Sequence, residues 1–224
     1  MPASMSKFLW SSLLVMLSLQ VAAQKNERDS LRAIHKPTGL RIGTDLIAIG
    51  KTIAQTPLQS WEISADVDLG RYYPILELGG WSREAKLVNG LYNNDGKYFR
   101  VGVDINFLLK DPDKNMFFIG MRYGRAQYSE RVLYSIAPEL FPTVQQAASN
   151  PDAAAGWIEL TTGLRVKVWR GFWMGYTGRM KFLPHTKNTP GFESYDIPGF
   201  GLPFKGLYWG FNYQVFWRIP FERR

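Results

Sequence analysis

The stretch WIELTTGLRVKVWRGFWMGYTGRMKF, Trp157 to Phe182, decides the fold. From Trp157 to Trp169, Ile158, Leu160, Thr162, Leu164, Val166 and Val168 alternate with Glu159, Thr161, Gly163, Arg165 and Lys167. A helix would scatter these two sets around its axis, whereas a strand sorts them onto opposite faces. Arg170-Gly171 then makes a tight turn. From Phe172 to Phe182, Met174, Tyr176 and Met180 share a face opposite Trp173, Thr177, Arg179 and Lys181. The pair reads as a β-hairpin.

The same period recurs outward from this hairpin. Leu207, Trp209, Phe211, Tyr213, Val215, Trp217 and Ile219 oppose Tyr208, Gly210, Asn212, Gln214, Phe216 and Arg218. Phe99, Val101, Val103 and Ile105 oppose Arg100, Gly102 and Asp104, and Phe117, Ile119 and Met121 oppose Phe118, Gly120 and Arg122. Trp61, Ile63, Ala65 and Val67 oppose Glu62, Ser64, Asp66 and Asp68. Two weaker strands place Leu40, Ile42, Thr44 and Leu46 against Arg41, Gly43 and Asp45, and Leu76 and Leu78 against Glu77 and Gly79. The total is eight strands, each near the ~9–11 residues that cross a bilayer at a tilt. Short connections at 70–73, 110–115 and 170–171 alternate with longer ones at 49–59, 83–97, 128–156 and 183–205. Short turns on one side and long loops on the other are the pattern of outer-membrane barrels. In the Thr143–Ser149 part of the longest loop, a short helix is expected.

A soluble barrel would turn the apolar face inward. Here the polar face carries full charges of both signs in mid-strand, and glycines on that face leave room for long side chains. The expected lumen network is Arg41, Asp45, Glu62, Asp66, Arg100, Asp104, Arg122, Glu159, Arg165, Lys167 and Arg179. Trp81, Phe118 and Trp173 should add inward bulk, leaving too little room for an aqueous pore in eight strands. Aromatics near strand ends (Trp61, Tyr72, Tyr73, Tyr98, Trp157, Trp169, Phe172, Phe182, Trp217 and Phe221) are expected to form interfacial girdles. The fold class expected is therefore all-β, an eight-stranded antiparallel transmembrane β-barrel over 39–221 with both termini periplasmic.

The N-terminus fits export. Lys7 precedes an apolar run from Phe8 to Val21, and Val21-Ala22-Ala23 supplies small residues before a cut at Ala23/Gln24. A cleaved signal peptide over 1–23 is expected, then a flexible periplasmic tail over 24–38, and a short tail over 222–224 after the barrel. The sequence has no cysteine, so neither a disulfide nor a Cys-ligated metal is available. The net charge is +8, and Lys7 is the only charged residue of the signal segment. In this context the excess is assigned to loops and termini that meet anionic headgroups or an acidic partner, with no nucleic acid.

The segments YFRVGVDINFL (Tyr98–Leu108), NMFFIGMRYG (Asn115–Gly124), GLRVKVWRGFWMGYTGRMKF (Gly163–Phe182) and WGFNYQVFWRIPF (Trp209–Phe221) resemble small outer-membrane barrels of the Bacteroidota, a family of unknown function. The resemblance covers the chain from about Gly39 onward. It implies no enzyme, and it associates the chain with accessory barrels of the barrel-assembly machinery that work beside surface lipoproteins.

Candidate chemistry is sparse. His185, with Glu193, Ser194 and Asp196 close by in sequence, is the one set that offers a nucleophile, base and acid, and no nucleophile-elbow motif accompanies it. No catalytic residue, cofactor or metal site is expected. Two loops are unusually apolar and are expected to dock a partner through Ile136, Leu140, Phe141, Val144, Phe200 and Phe204. The function expected is that of a non-catalytic structural or interaction subunit of a complex in the bacterial outer membrane. Its partners would be outer-membrane lipids and other outer-membrane proteins or surface lipoproteins. The alternatives are a narrow pore and a lipid-modifying outer-membrane enzyme.

Overall fold

The computed structural model describes residues 37–54, 56–136, 144–203 and 206–221. The signal segment, most of the tail before Gly39 and the last three residues lie outside them. The strands are β1 (Gly39–Asp45), β2 (Leu58–Asp68), β3 (Tyr72–Leu87), β4 (Gly90–Asn106), β5 (Met116–Ile136), β6 (Val144–Trp169), β7 (Phe172–Lys187) and β8 (Leu207–Pro220). Each pairs antiparallel with the next, and β8 returns to β1, so the sheet is a closed barrel. The closing register sets Gly39 against Pro220 and Asp45 against Gln214. An even strand number brings the start of β1 and the end of β8 to one rim. That rim also carries the turns at Leu69–Arg71, Phe107–Asn115 and Arg170–Gly171. At the first of these turns Gly70 takes φ +80°, a conformation open to glycine, and its N–H donates to Asp68 Oδ1 at 2.9 Å.

The outward faces are apolar and exposed, with Trp209 68% and Met121 66% accessible, while their strand neighbours Gly210 and Arg122 turn inward. Tyr73, Met116 and Phe118 form a buried cluster near the short-turn rim. A larger one (Tyr98, Ala126, Tyr128, Trp157, Ile197 and Phe200) fills the opposite end. Tyr73, Tyr98 and Trp157 are therefore core residues, which corrects their expected place in an outer girdle. Their parity already put them on the charged face; proximity to a strand end does not override the alternation of the pleat. Trp61, Tyr72, Trp169, Phe182, Trp217 and Phe221 do remain exposed.

The long connections are largely strand. β3 and β4 continue to a turn at Val88-Asn89, and β5 and β6 continue to Ile136 and Val144. Thr143 is outside the described residues. Val144–Ser149 is strand and not the expected helix, because Gln145, Ala147 and Ser149 pair with Ser135, Leu133 and Arg131. Cross-strand pairing here outweighs the helix propensity of Ala and Gln. A register shift between Tyr128 and Glu130 moves the inward position of β6 by one residue, so that Asn150 is buried with Ala153 and Ala155.

β1 ends early. At Asp45 the chain leaves the sheet and winds into α1 (Leu46–Ile53), so Leu46 opens a helix and does not extend the strand. Asp45 is the N-cap: Oδ1 accepts Ile47 N–H at 3.0 Å and Tyr213 N–H at 3.2 Å, and Oδ2 accepts from Asn212 Nδ2 at 2.7 Å. One carboxylate thus stops a strand, starts a helix and ties both to β8. Asp45→Ala is expected to lower stability by about 2 kcal/mol, the loss of a cap plus a buried charge-assisted bond. Asp45→Asn should retain most of it, as read from urea unfolding of the folded chain.

Candidate functional site

The interior of the ring is built from the alternate residues of each strand. Arg41, Arg100, Arg122, Arg165 and Arg179 meet Glu62, Asp66, Glu77, Asp104 and Glu159, and all ten are buried. The contacts form one connected path. Arg41 Nε meets Asp66 at 2.8 Å, and Arg165 bridges Asp66 and Asp104, 2.9 Å to each. Arg122 joins Asp104 at 3.0 Å to Glu77. Arg179 reaches Glu77 and Glu159 at 2.9 Å each, and Arg100 reaches Glu62 at 2.5 Å. Charges balance within this path, as burial demands. Aromatic rings line it: the Arg41 guanidinium lies 4.5 Å from the Tyr73 ring centroid, and that of Arg165 lies 4.7 Å from both Phe118 and Phe216.

Most of the expected lumen residues are therefore brought together, with two differences. Asp45 serves as the helix cap described above. Lys167 stands at the short-turn rim, half-buried, and pairs with Asp113 of the turn at 2.6 Å; it lies too near the strand end to reach the interior path. Glu77, on the expected polar face, is a hub for three arginines. Glycines make the room: a Cβ on Gly79 would fall 2.2 Å from the Tyr98 ring, and one on Gly124 2.3 Å from Trp157. Trp157 Nε1 spends its donor on Glu159 at 2.7 Å.

The end opposite the short turns is closed by the segment after β7. Glu130 Oε1 accepts from Tyr92 at 2.6 Å and from the backbone of Tyr195 and Asp196 at 3.0 and 3.3 Å. Asp196 pairs with Arg83 at 2.5 Å, and its carbonyl accepts from Asn94 at 2.6 Å. Ile197 and Gly201 exchange backbone bonds of 3.0 and 2.8 Å, forming a tight loop that drives Phe200 inward against Trp157 and Tyr208. Phe200 is completely buried, which corrects its expected role as an exposed docking residue; the aromatic pocket inside the mouth is a better sink for its ring than solvent. Ile136 and Val144 pair at the tip of the β5–β6 hairpin and are exposed, 41% and 49%. Leu140, Phe141 and Phe204 lie outside the described residues. Tyr92, Asn94 and Glu130 of this closure escaped sequence reasoning, although each keeps the parity of Arg100 or Arg122 on its strand.

The His185 set is not assembled. His185 is exposed on β7, whereas Ser194 is buried and bonded to Tyr128 at 2.7 Å and to Asn188 at 2.8 Å. Asp196 is committed to Arg83. Among the described residues, no group of three or more His, Cys, Asp or Glu is arranged to hold a metal ion. The site is a packed ionic core inside an all-β closed barrel, with a plug over one mouth. The chain belongs to the family DUF6048, a domain of unknown function, whose profile matches residues 5–224. No curated protein and no solved structure matches it.

Arg122→Met is expected to destabilise the protein by about 3–5 kcal/mol, because Glu77 and Asp104 then remain buried with too little positive charge. Arg122→Lys should recover only part, since a single ammonium lacks the fork that bridges two carboxylates. The shift in unfolding midpoint measures both. Burial holds the Asp196 carboxyl above its ordinary range, with Arg83 pulling it down less strongly. The plugged state therefore binds a proton more tightly than the free segment does. Its contribution to plugging is complete below the unfolded pKa and declines as pH rises through the folded one. Hydrogen exchange at the Ile197 and Gly201 amides, corrected for intrinsic rate, should show greater protection at pH 4 than at pH 7. Asp196→Asn should flatten that difference.

Proposed function

We propose that the protein is a non-catalytic integral barrel of the bacterial outer membrane that serves as an interaction subunit of an outer-membrane complex. The observation that carries this reading is the inverted polarity of the ring. Large apolar side chains such as Ile63, Met121, Val168 and Trp209 face outward, while buried guanidiniums and carboxylates face in. A band of this kind suits hydrocarbon as solvent, and the closed ring pairs every strand with a neighbour on each side over part or all of its length. The apolar, Lys7-led segment before Ala23 supports export, and the short-turn rim, where β1 begins and β8 ends, would then face the periplasm.

The subunit part rests on the β5–β6 hairpin. Its strands, the longest of the ring at 21 and 26 residues, run out to an exposed apolar pair, Ile136 and Val144. This exposed pair, with Leu133 also exposed beside it, suits docking of a surface lipoprotein or a second outer-membrane protein. The association with barrel assembly rests on the family resemblance. A narrow pore is disfavoured by the side chains that fill the interior.

The test is gentle detergent extraction of the tagged chain from native membranes, followed by mass spectrometry of what accompanies it. The expected result is a chain that resists urea and carbonate washing, begins at Gln24, and brings surface lipoproteins or assembly components in fixed ratio. Recovery in the soluble fraction would overturn the membrane reading. A clean monomer would overturn the subunit reading and leave the membrane reading standing.

A further inference from the structure

The short β1 leaves a gap in the wall. β8 pairs with β1 only from Gln214 to Pro220, and β2 pairs with it only from Ile63 to Asp68. Beyond Asp45, α1 occupies the space between Leu58–Glu62 of β2 and Leu207–Tyr213 of β8. The β2 edge of this gap is satisfied by hydroxyls. Thr52 Oγ1 donates to the Ser60 carbonyl at 2.9 Å and accepts its N–H at 3.1 Å; Thr44 and Thr56 donate to the carbonyls of Glu62 and Leu58, 2.7 Å each. On the β8 edge Asp45 takes the Tyr213 N–H. Among the described residues, no strand pairs with Leu207–Asn212 on that side.

A cavity of about 610 Å³ opens in this gap. Its outer lip is apolar, formed by Ile47, Leu58, Trp209 and Phe211, the last two strongly exposed on the outward face. Its depth is polar and reaches Lys181. Unlike the five lumen arginines, the buried Lys181 ammonium has, among the described residues, no carboxylate at salt-bridge distance. It donates to the carbonyls of Gly199 at 2.7 Å and Phe200 at 3.0 Å and lies 5.7 Å from the Tyr208 ring centroid, which leaves one N–H without a hydrogen-bond partner among the described residues. Trp81 Nε1, also on the cavity wall, is a buried donor with no partner among the described residues. Of the carboxylates that share the wall, Asp45 is the cap and Asp196 pairs with Arg83, while Glu62 accepts from Arg100 and Tyr98 through Oε2 and faces Arg179 with Oε1 at 3.7 Å. Lys51 adds an exposed cation at the rim.

An apolar lip opening sideways onto the outward band, with unanswered donors and a cation within, is complementary to one kind of molecule. We propose that the β2–β8 gap binds an amphiphile with an acyl chain and an anionic head, entering laterally from the surrounding lipid. This rests on the membrane reading above. The chain would lie along Trp209 and Phe211, and the head would reach Lys181 and Trp81.

The test uses the full chain in dodecylmaltoside, titrated with 11-(dansylamino)undecanoate and with its methyl ester, and read by dansyl emission. The carboxylate should bind saturably and about tenfold more tightly than the ester, a difference of about 1.4 kcal/mol. Lys181→Met should reduce the acid to the ester's affinity. Lys51→Glu, at an exposed position that leaves packing intact, should weaken the acid alone by a few-fold. Folding of each variant is checked by heat-modifiable gel mobility. Equal binding of acid and ester, or binding unchanged in both variants, would overturn the proposal. Insertion into phosphatidylcholine vesicles separates the two ideas. A chain that inserts but does not bind the probe refutes this inference alone, and one that fails to insert refutes the membrane reading and this inference with it. Displacement of the probe by oleate but not by lysophosphatidylglycerol would assign the head as a fatty-acid carboxylate; displacement by both would extend it to phosphate.

Discussion

Burying a guanidinium without a counter-charge is among the most costly acts a folded chain can perform. Here Arg41, Arg100, Arg122, Arg165 and Arg179 are all buried, and they come from β1, β4, β5, β6 and β7. Their partners Glu62, Asp66, Glu77, Asp104 and Glu159 come from β2, β3, β4 and β6. No single hairpin contains a balanced set. The meander β3–β5 balances by itself, with Glu77 and Asp104 against Arg100 and Arg122, but Arg165 and Arg179 reach Asp66, Asp104 and Glu77 only across the ring, so the full ionic path favours the closed arrangement. Such networks add little net stability compared with an apolar core, and their value lies in penalising wrong registers. A slip of one residue in any strand that carries one of these charges would send it outward and an apolar neighbour inward.

That constraint explains the surrounding features. Gly79 and Gly124 lie on the charged face where Tyr98 and Trp157 must pass. Rings of Tyr73, Phe118 and Phe216 cover guanidinium faces that have no hydrogen to donate. The segment from Asn188 to Pro203 closes the far end with the same chemistry. Glu130 and Asn94 hold its backbone, Arg83 holds the Asp196 carboxylate, and Phe200 fills the mouth.

Much of this was legible in the sequence because the pleat has a period of two and charge is conspicuous within it. Arg165, Arg179 and Glu159 could be placed inside from the alternation of Trp157–Phe182 alone. The interior closure was not legible, because Asn94 and Glu130 sit in stretches whose polarity resembles that of a solvated loop. Only pairing with a neighbouring strand shows that Arg83–Leu87 and Val144–Ser149 are extended. Phe200 failed for a related reason: an apolar loop residue carries no mark that says whether it faces a partner or its own barrel. Asp45 was read correctly as inward-facing, but its capping role depends on β8, more than 160 residues away in the chain.

The pairing of β1 with β8 has a kinetic consequence. Seven of the eight strand contacts join chain neighbours and require only local loop closure. The eighth joins the first strand to the last, through a register of seven residues from Gly39–Pro220 to Asp45–Gln214. It carries the largest entropic cost of any contact in the ring and repays it with a short ladder, seven pairs against seventeen for β4–β5. This seam is therefore the expected final step of assembly and the first place to part under load, and the rest of the ring can remain a curved, intact sheet while it opens.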